Sequence, residues 1–402
     1  MDFDDTPEEA AFRAEARSWL DANATLRTDE SSLGGYLGQR PDHVARSRDW
    51  QRRLYDGGWA GITWPKEYGG RGASPIESSI FAQEQARYDV AVGPFTVAVG
   101  MVGPTLIAHG TDAQKERFLD PLLRGEEIWC QLFSEPGAGS DLAGLSTKAV
   151  RDGDEFVVNG QKVWTSGAQY SDFGILLVRT DPDQPKHRGI TYLLVDMRTP
   201  GIDVRPLHQI NGAAHFNEVF LTDVRVPVEN VVGDIDAGWG PILTTLANER
   251  TAIGGGGGVA FDHLARLARA TGGDADPLLR QELAAAFTRF SVLRYVGYRV
   301  QTALSQGRPP GPESSVLKLA YSQHLARTAD LVLALEQAAG MLYDEDAPDH
   351  GVWQQYFLMQ WASRIGGGTD QIQRNVLGER VLGLPPEPRL DKTVPFRDLA
   401  RA

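Results

Sequence analysis

The chain has 402 residues, is 42% hydrophobic and 23% charged, and carries a formal net charge of −13. That length can bury large cores and suggests two or three domains, while the acidic balance argues against nucleic acid or an anionic membrane as the main partner. A single cysteine, Cys130, excludes an intrachain disulfide and a cysteine metal cluster. The start, Met1-Asp2-Phe3-Asp4-Asp5, is acidic and lacks the apolar core of a secretory signal and the arginines of a transit peptide. No run of about 18 apolar residues is present to span a membrane. The chain therefore reads as a cytoplasmic protein.

Three regions follow in chain order. The first, residues 1–125, reads as helical: Thr6-Pro7-Glu8-Glu9 is a capping box with proline at the first helical position, and Phe12, Ala16, Trp19 and Leu20 follow at helical spacing. A loop dense in glycine and aromatics interrupts it at Gly57–Gly61 and Trp64–Gly70. In residues 126–236 the period changes. Residues 149–158 form a hairpin around an Asp-Gly turn, and 174–179, 190–196 and 218–226 are strand-like runs. Short spacing without intervening helices predicts a small antiparallel, barrel-like β-domain. Residues 237–402 are helical again. Asp276 and Pro277 open a long helix with Leu279, Leu283, Phe290, Leu293, Val300 and Leu304 on its apolar side, and Gly307 closes it. A second helix is expected over 314–340 and a third after Gly351, which suits a bundle. The fold class is thus α+β, with helical, β and helical regions in that order.

The most distinctive strings are Gln131-Leu132-Phe133-Ser134-Glu135-Pro136-Gly137-Ala138-Gly139-Ser140-Asp141 and Lys162-Val163-Trp164-Thr165-Ser166-Gly167. A glycine-rich loop on a β-domain lets backbone amides approach a flavin or a phosphate. Ser134 and Ser166 can hydrogen-bond the edge of a planar ring, and Trp164 can stack on its face.

Together these strings resemble the acyl-CoA dehydrogenase signatures. The resemblance extends to the Pro-x-Glu-Tyr-Gly-Gly loop at 65–70, to the α/β/α order and to Gly368-Thr369-Asp370-Gln371-Ile372-Gln373-Arg374. It implies the acyl-CoA dehydrogenase fold, with FAD as cofactor, an acyl-CoA as substrate and an electron-transfer flavoprotein as acceptor. Carried over to this chain, it implies that Gln131, Phe133, Ser134 and Gly139 line the flavin and that Trp164 and Ser166 cover its other side and edge. Ser140 would hold the CoA arm. Thr369 and Gln371 would contact the ribose and adenine end of FAD, with Gln337 and Gly340 contributing from a neighbouring subunit.

The α-hydrogen of a thioester is a very weak acid, so a base must take it while the β-hydrogen leaves as hydride, and donors must stabilise the enolate-like oxygen. In many members the base is the Glu of a Tyr-Glu-Gly-Thr motif. Here Ile365-Gly366-Gly367-Gly368-Thr369 puts Gly367 in that place. Members resembling the isovaleryl and long-chain enzymes carry the base on the first helix of the C-terminal domain, directly before an arginine. Leu246-Ala247-Asn248-Glu249-Arg250 fits that pattern. Glu249 is accordingly the expected base, Arg250 a contact to CoA, and the Gly367 amide the expected donor to the thioester oxygen.

Two departures concern the cofactor. The usual Arg-x-x-Phe-Gly is replaced by Ala270-Thr271-Gly272-Gly273-Asp274, and Gln-x-x-Gly-Gly has become Gln337-Ala338-Ala339-Gly340-Met341. After Glu249-Arg250, five glycines at 254–258 imply either a wide acyl cavity for a branched, cyclic or bulky chain, or close helix packing and a local break. The scattered histidines give no metal signal. The expected function is therefore α,β-dehydrogenation of an acyl-CoA. The rivals are an acyl-CoA oxidase or flavin monooxygenase on the same fold, and a subunit acting within a heteromer. A homodimer or homotetramer is the assembly the resemblance favours.

Overall fold

The computed structural model describes residues 5–28, 42–254, 261–306, 308, 313–343, 346–386 and 391–399. Those within 1–41, 73–90 and 253–386 form one compact unit, and those within 42–72, 91–252 and 387–402 form another. The first 125 residues, contiguous in sequence, thus supply both.

The predicted capping box opens helix Pro7–Asn23. Glu9 N donates to Thr6 Oγ1 at 3.2 Å and Thr6 N to Glu9 Oε2 at 2.8 Å. Phe12, Ala16 and Leu20 are buried, as the period requires. Helices His43–Asp56, Pro75–Gln85, Gly103–His109 and Asp112–Leu123 follow. The glycine-aromatic loop wraps Trp64, whose Nε1 donates to Val99 O at 3.2 Å. Here glycine is demanded by space, because a Cβ on Gly103 would lie 1.9 Å from the Trp64 ring.

Seven strands make one sheet: β1 Trp129–Leu132, β2 Lys148–Asp152, β3 Glu155–Ser166, β4 Phe173–Arg179, β5 Ile190–Asp196, β6 Ile202–Leu207 and β7 Phe216–Pro227. The order is β1-β4-β2-β3-β7-β6, with β5 also on β4. The predicted hairpin is β2–β3, with Gly153 left-handed at φ 62° in its turn. Antiparallel pairing holds for β2–β3, β3–β7, β6–β7 and β4–β5. β1 and β2, however, meet β4 in parallel, so the sheet is mixed. The long connection from β1 through the glycine-rich loop and the hairpin permits the crossover that a parallel pair needs. Strands β1 and β6 stand beyond the predicted runs. β1 has only four residues, and β6 is an edge strand carrying Pro206, its residues exposed or half-buried. The core beneath the sheet includes Leu132, Phe156, Val158, Leu176, Val178, Leu193, Val195, Val219 and Leu221. β4 is buried along its whole length, as a central strand should be.

Helix Trp239–Gly254 follows the sheet, and then come Phe261–Thr271, Pro277–Ser305, Glu313–Glu336, Val352–Ile365 and Asp370–Val376. The long helix starts at the expected proline, while Gly307, its expected stop, lies outside the described residues. The second helix ends at Glu336, and a 3-10 turn occupies Gln337–Met341. Leu264, Leu267, Leu283, Leu325, Leu335, Trp353 and Tyr356 form the bundle core. Among the described residues no helix is long and apolar enough to cross a membrane.

Candidate functional site

β1 delivers Gln131 and Leu132, and the chain then turns tightly. Glu135 N donates to Ala138 O and Ala138 N donates back to Glu135 O, both at 3.0 Å. Val163 N donates to Ser134 O at 2.9 Å, joining the first signature string to the second. At the centre sits a buried ion pair. The Glu135 carboxylate accepts from Lys162 Nζ at 2.8 Å, Ser146 N at 2.7 Å, Ser146 Oγ at 2.9 Å and Thr147 N at 2.8 Å. Lys162, fully buried, also donates to Phe133 O at 3.0 Å. Burial by itself would raise the Glu135 carboxyl, but the Lys162 charge and these donors hold it down at about 2. Burial pulls Lys162 downward, and Glu135 opposes that pull. The pair is therefore ionic. Neither residue was given a role from sequence. The signal was a lysine in the second string against two carboxylates, Glu135 and Asp141, in the first.

The turn offers an open backbone. A Cβ placed on Gly137 or Gly139 would meet nothing within 4 Å, so the chain's own packing does not explain those glycines. A flat or phosphorylated ligand lying against the amides does, and in that respect the loop fits a flavin nucleotide. Trp164 fits it too. It occupies a β-bulge where β3 gains one residue on β7, its φ is 61°, and its indole is 60% exposed. A left-handed non-glycine residue costs about 1–3 kcal/mol and tends to persist at functional sites. The edge of Phe216 supports the indole, with ring centroids 5.7 Å apart at 84°. Gly139, Ser140 and Ser166 are exposed, and Gln131 and Ser134 are half-buried. The Phe133 ring is different: it is buried, packed edge-on to Tyr192 at 6.0 Å, and turned into the core.

A hydroxyl chain anchors helix Trp239–Gly254. Thr245 Oγ1 donates to Pro241 O at 3.0 Å and lies 2.9 Å from Thr105 Oγ1 and 3.1 Å from Tyr192 OH. Thr105 in turn donates to Met101 O at 2.8 Å. One side chain over, Thr244 Oγ1 is 2.8 Å from His109 Nε2. One turn further along the helix, Gln131 Nε2 donates to Glu249 Oε2 at 3.3 Å. The expected base is thus brought against the strand that leads the first string. The Arg250 side chain and Gly255–Gly258 lie outside the described residues.

The remaining expected residues belong to the other unit. Gly367 and Gly368 are left-handed, with φ of 64° and 87°. Thr369 caps helix Asp370–Val376, its Oγ1 accepting from Ile372 N at 3.1 Å. Gln373 Nε2 donates to Gly367 O at 3.3 Å. Gln371 is exposed. Gln337 is exposed and left-handed at φ 55°, and Gly340 is half-buried.

Sequence models of three acyl-CoA dehydrogenase domains match in order: the N-terminal domain over residues 6–126, the middle domain over 130–224 and the C-terminal domain over 236–382. The chain belongs to the acyl-CoA dehydrogenase family. Acyl-CoA dehydrogenase IpdE1 of Mycobacterium tuberculosis is 39% identical over 382 residues, covering 94% of this chain and 98% of that one. Acyl-CoA dehydrogenase FadE29 of the same organism is 34% identical over 398 residues, covering 97% and 100%. Among solved structures, the Tcur3481-Tcur3483 steroid ACAD superposes with a TM-score of 0.82 at 32% identity, over 96% of this chain and 100% of that chain. The ChsE4-ChsE5 complex from Mycobacterium tuberculosis gives 0.79 at 32% identity, over 96% and 100%. The protein is an enzyme of the acyl-CoA dehydrogenase class with the α+β fold of that family.

Proposed function

We propose that this acyl-CoA dehydrogenase uses FAD to introduce an α,β double bond into a bulky acyl-CoA, with Glu249 removing the α-proton. The observation that carries this reading is the Gln131–Glu249 contact at 3.3 Å. It places a carboxylate beside the flavin-type strings in a chain whose alternative base position is Gly367. The bound flavin supplies the acceptor for the β-hydride. The chain's own residues do the rest. The amides of Gly137 and Gly139, with Ser134 and Ser166, position the ring. Trp164 closes its face, and Ser140 orients the CoA arm. Thr369 and Gln371 take the ribose and adenine end, with Gln337 and Gly340 contributing from a neighbouring subunit. Glu249 holds the abstracted proton at its carboxylate, and the Gly367 N–H serves the thioester oxygen. The preference for a bulky acyl group is supported by the glycines after Glu249 and by the likeness to the Tcur3481-Tcur3483 steroid ACAD. The paired names of that relative and of the ChsE4-ChsE5 complex support a heteromeric assembly beside the homo-oligomeric one. Electrons then pass to an electron-transfer flavoprotein.

Anaerobic titration of the purified protein with a panel of acyl-CoAs tests the reading. Bleaching of the flavin absorbance by bulky thioesters is expected, and faster bleaching by short straight chains would overturn the bulky preference. Glu249→Gln should keep its flavin and bleach about 10²–10⁴-fold more slowly. An unaltered rate would remove Glu249 from the chemistry.

A further inference from the structure

Strand β5 holds the helix that carries Glu249 at its start and along one face. Asp236 N donates to Thr191 Oγ1 at 2.9 Å, and Gly238 N donates to Ile190 O at 2.8 Å. A Cβ on Gly238 would lie 2.9 Å from both Ile190 O and Tyr192 N, so glycine is what lets the chain close on the strand. Further along the helix, the Tyr192 hydroxyl lies 3.1 Å from Thr245 Oγ1, which in turn lies 2.9 Å from Thr105 Oγ1. Thr105 donates to Met101 O at 2.8 Å, inside the π-helical turn Ala98–Val102. Tyr192, Thr245 and Thr105 are all fully buried.

Apolar side chains would fill the same space. What hydroxyls add is direction, because a hydrogen bond fixes both the rotation of a helix and its place along the axis. A slip of one residue turns a helix by about 100° and would carry Glu249 away from Gln131. Thr245 and Glu249 are four residues apart and share a helix face, so the anchor stands on the base's own side. The sequence beyond the base does little to stiffen it. Gly254–Gly258 follow, and each glycine weakens a helix by about 1 kcal/mol relative to alanine. The position of the base is therefore set from the N-terminal side. Tyr192 has a second contact, its ring lying edge-on to Phe133 at 6.0 Å, two residues beyond Gln131. One side chain thus touches both the base's helix and the first signature string.

We propose that Tyr192 and Thr245 are positioning residues for the reaction, holding the Glu249 carboxylate against the strand of the first string. The proposal rests on the reading of Glu249 as the base. Thr245→Val and Tyr192→Phe keep nearly the same volume and lose a hydroxyl. The test measures anaerobic flavin bleaching of the full-length, flavin-loaded enzyme by whichever acyl-CoA of the panel bleaches the wild type fastest. Each variant should slow bleaching at saturating thioester about 10-fold, less than the ~100-fold that a full ångström of misplacement costs. The half-saturating thioester concentration should stay unchanged, and Thr245→Ser, which keeps the hydroxyl, should restore the rate. In a Glu249→Gln background neither substitution should slow bleaching further, because the group they position is gone. Tyr192→Phe decides the matter if Thr245→Val does not fold. A wild-type rate in Tyr192→Phe, or a loss that persists in full without the Glu249 carboxylate, would overturn the positioning role alone. Bleaching at the wild-type rate by Glu249→Gln itself would instead overturn the reading on which the role rests.

Discussion

Two buried carboxylates, one in each unit, behave in opposite ways. Glu135, between the signature strings, is matched by a buried lysine and three further donors and is held ionised with a pKa of about 2. Glu336, at the end of the helix before Gln337, is 4% exposed and accepts from Gln354 Nε2 at 2.6 Å. Burial pushes it up to about 7, the Gln354 bond pulls against this, and the charge of Asp349 adds to it. The difference lies in the partner. A buried cation turns a carboxylate into a fixed clamp, whereas a buried amide leaves it close to neutral. The clamp sits where both strings follow the family pattern. The near-neutral carboxyl adjoins Gln337-Ala338-Ala339-Gly340, where the pattern changes, and left-handed residues gather there: Gln337 at φ 55°, Asp349 at 49° and His350 at 54°.

The hardest blow to this contrast is Lys162→Met. It strands the Glu135 carboxylate in the core and should cost about 3–5 kcal/mol, read by denaturant unfolding, and the purified protein should lose flavin absorbance. Adding Glu135→Gln should recover part of the loss, because the stranded charge is then gone. If Lys162→Met is as stable as wild type, the pair is no clamp.

The pH dependence of stability separates the two carboxylates by sign. Between about 4.5 and 7 native Glu336 holds a proton that the unfolded chain has released. Its contribution is complete below that window and is lost as pH rises through 7. Glu135 runs the other way: its contribution is present above 4.5 and disappears as pH falls toward 2. Urea unfolding across pH should therefore show a flatter neutral limb in Glu336→Gln and a flatter acid limb in Glu135→Gln. The same limb flattened by both variants would contradict the contrast.

Smaller effects sharpen the C-terminal side. Gly368→Ala forces a side chain onto a φ of 87° and into Gln373 Nε2 at 2.8 Å, and should cost roughly 1–2 kcal/mol. Thr369→Ala removes a helix cap worth about 1 kcal/mol. Both are measured by thermal unfolding. A Thr369→Ala variant with a full-strength melt but weakened flavin binding would mark Thr369 as a cofactor contact rather than a cap.

Much of the fold was readable along the chain. The Thr6–Glu9 capping box, the turn at Gly153 and the helix opened by Pro277 rest on contacts between near neighbours, so local spacing predicts them. Strand β6 escaped because Pro206 argues against a strand, and β1 because four residues carry too little pattern. The parallel pairing of β1 with β4 depends on where a long connection returns, which no local period encodes. In the two strings, Phe133 turned inward and Trp164 took up a left-handed bulge. Those orientations follow from the Tyr192 ring and from the register of β3 on β7.

By itself the sequence determined the order of helical and β regions and the two signature strings, and with glycine at position 367 it made Glu249 the proposed base. Only the tertiary structure decided that Glu135 and Lys162, 27 residues apart, share one buried bond, and that Gln131 meets Glu249 across 118 residues. The physical reason is range. Capping, turn geometry and apolar period act over a few residues, whereas an ion pair or a carboxylate's hydrogen-bond partner exists only after the chain has closed on itself.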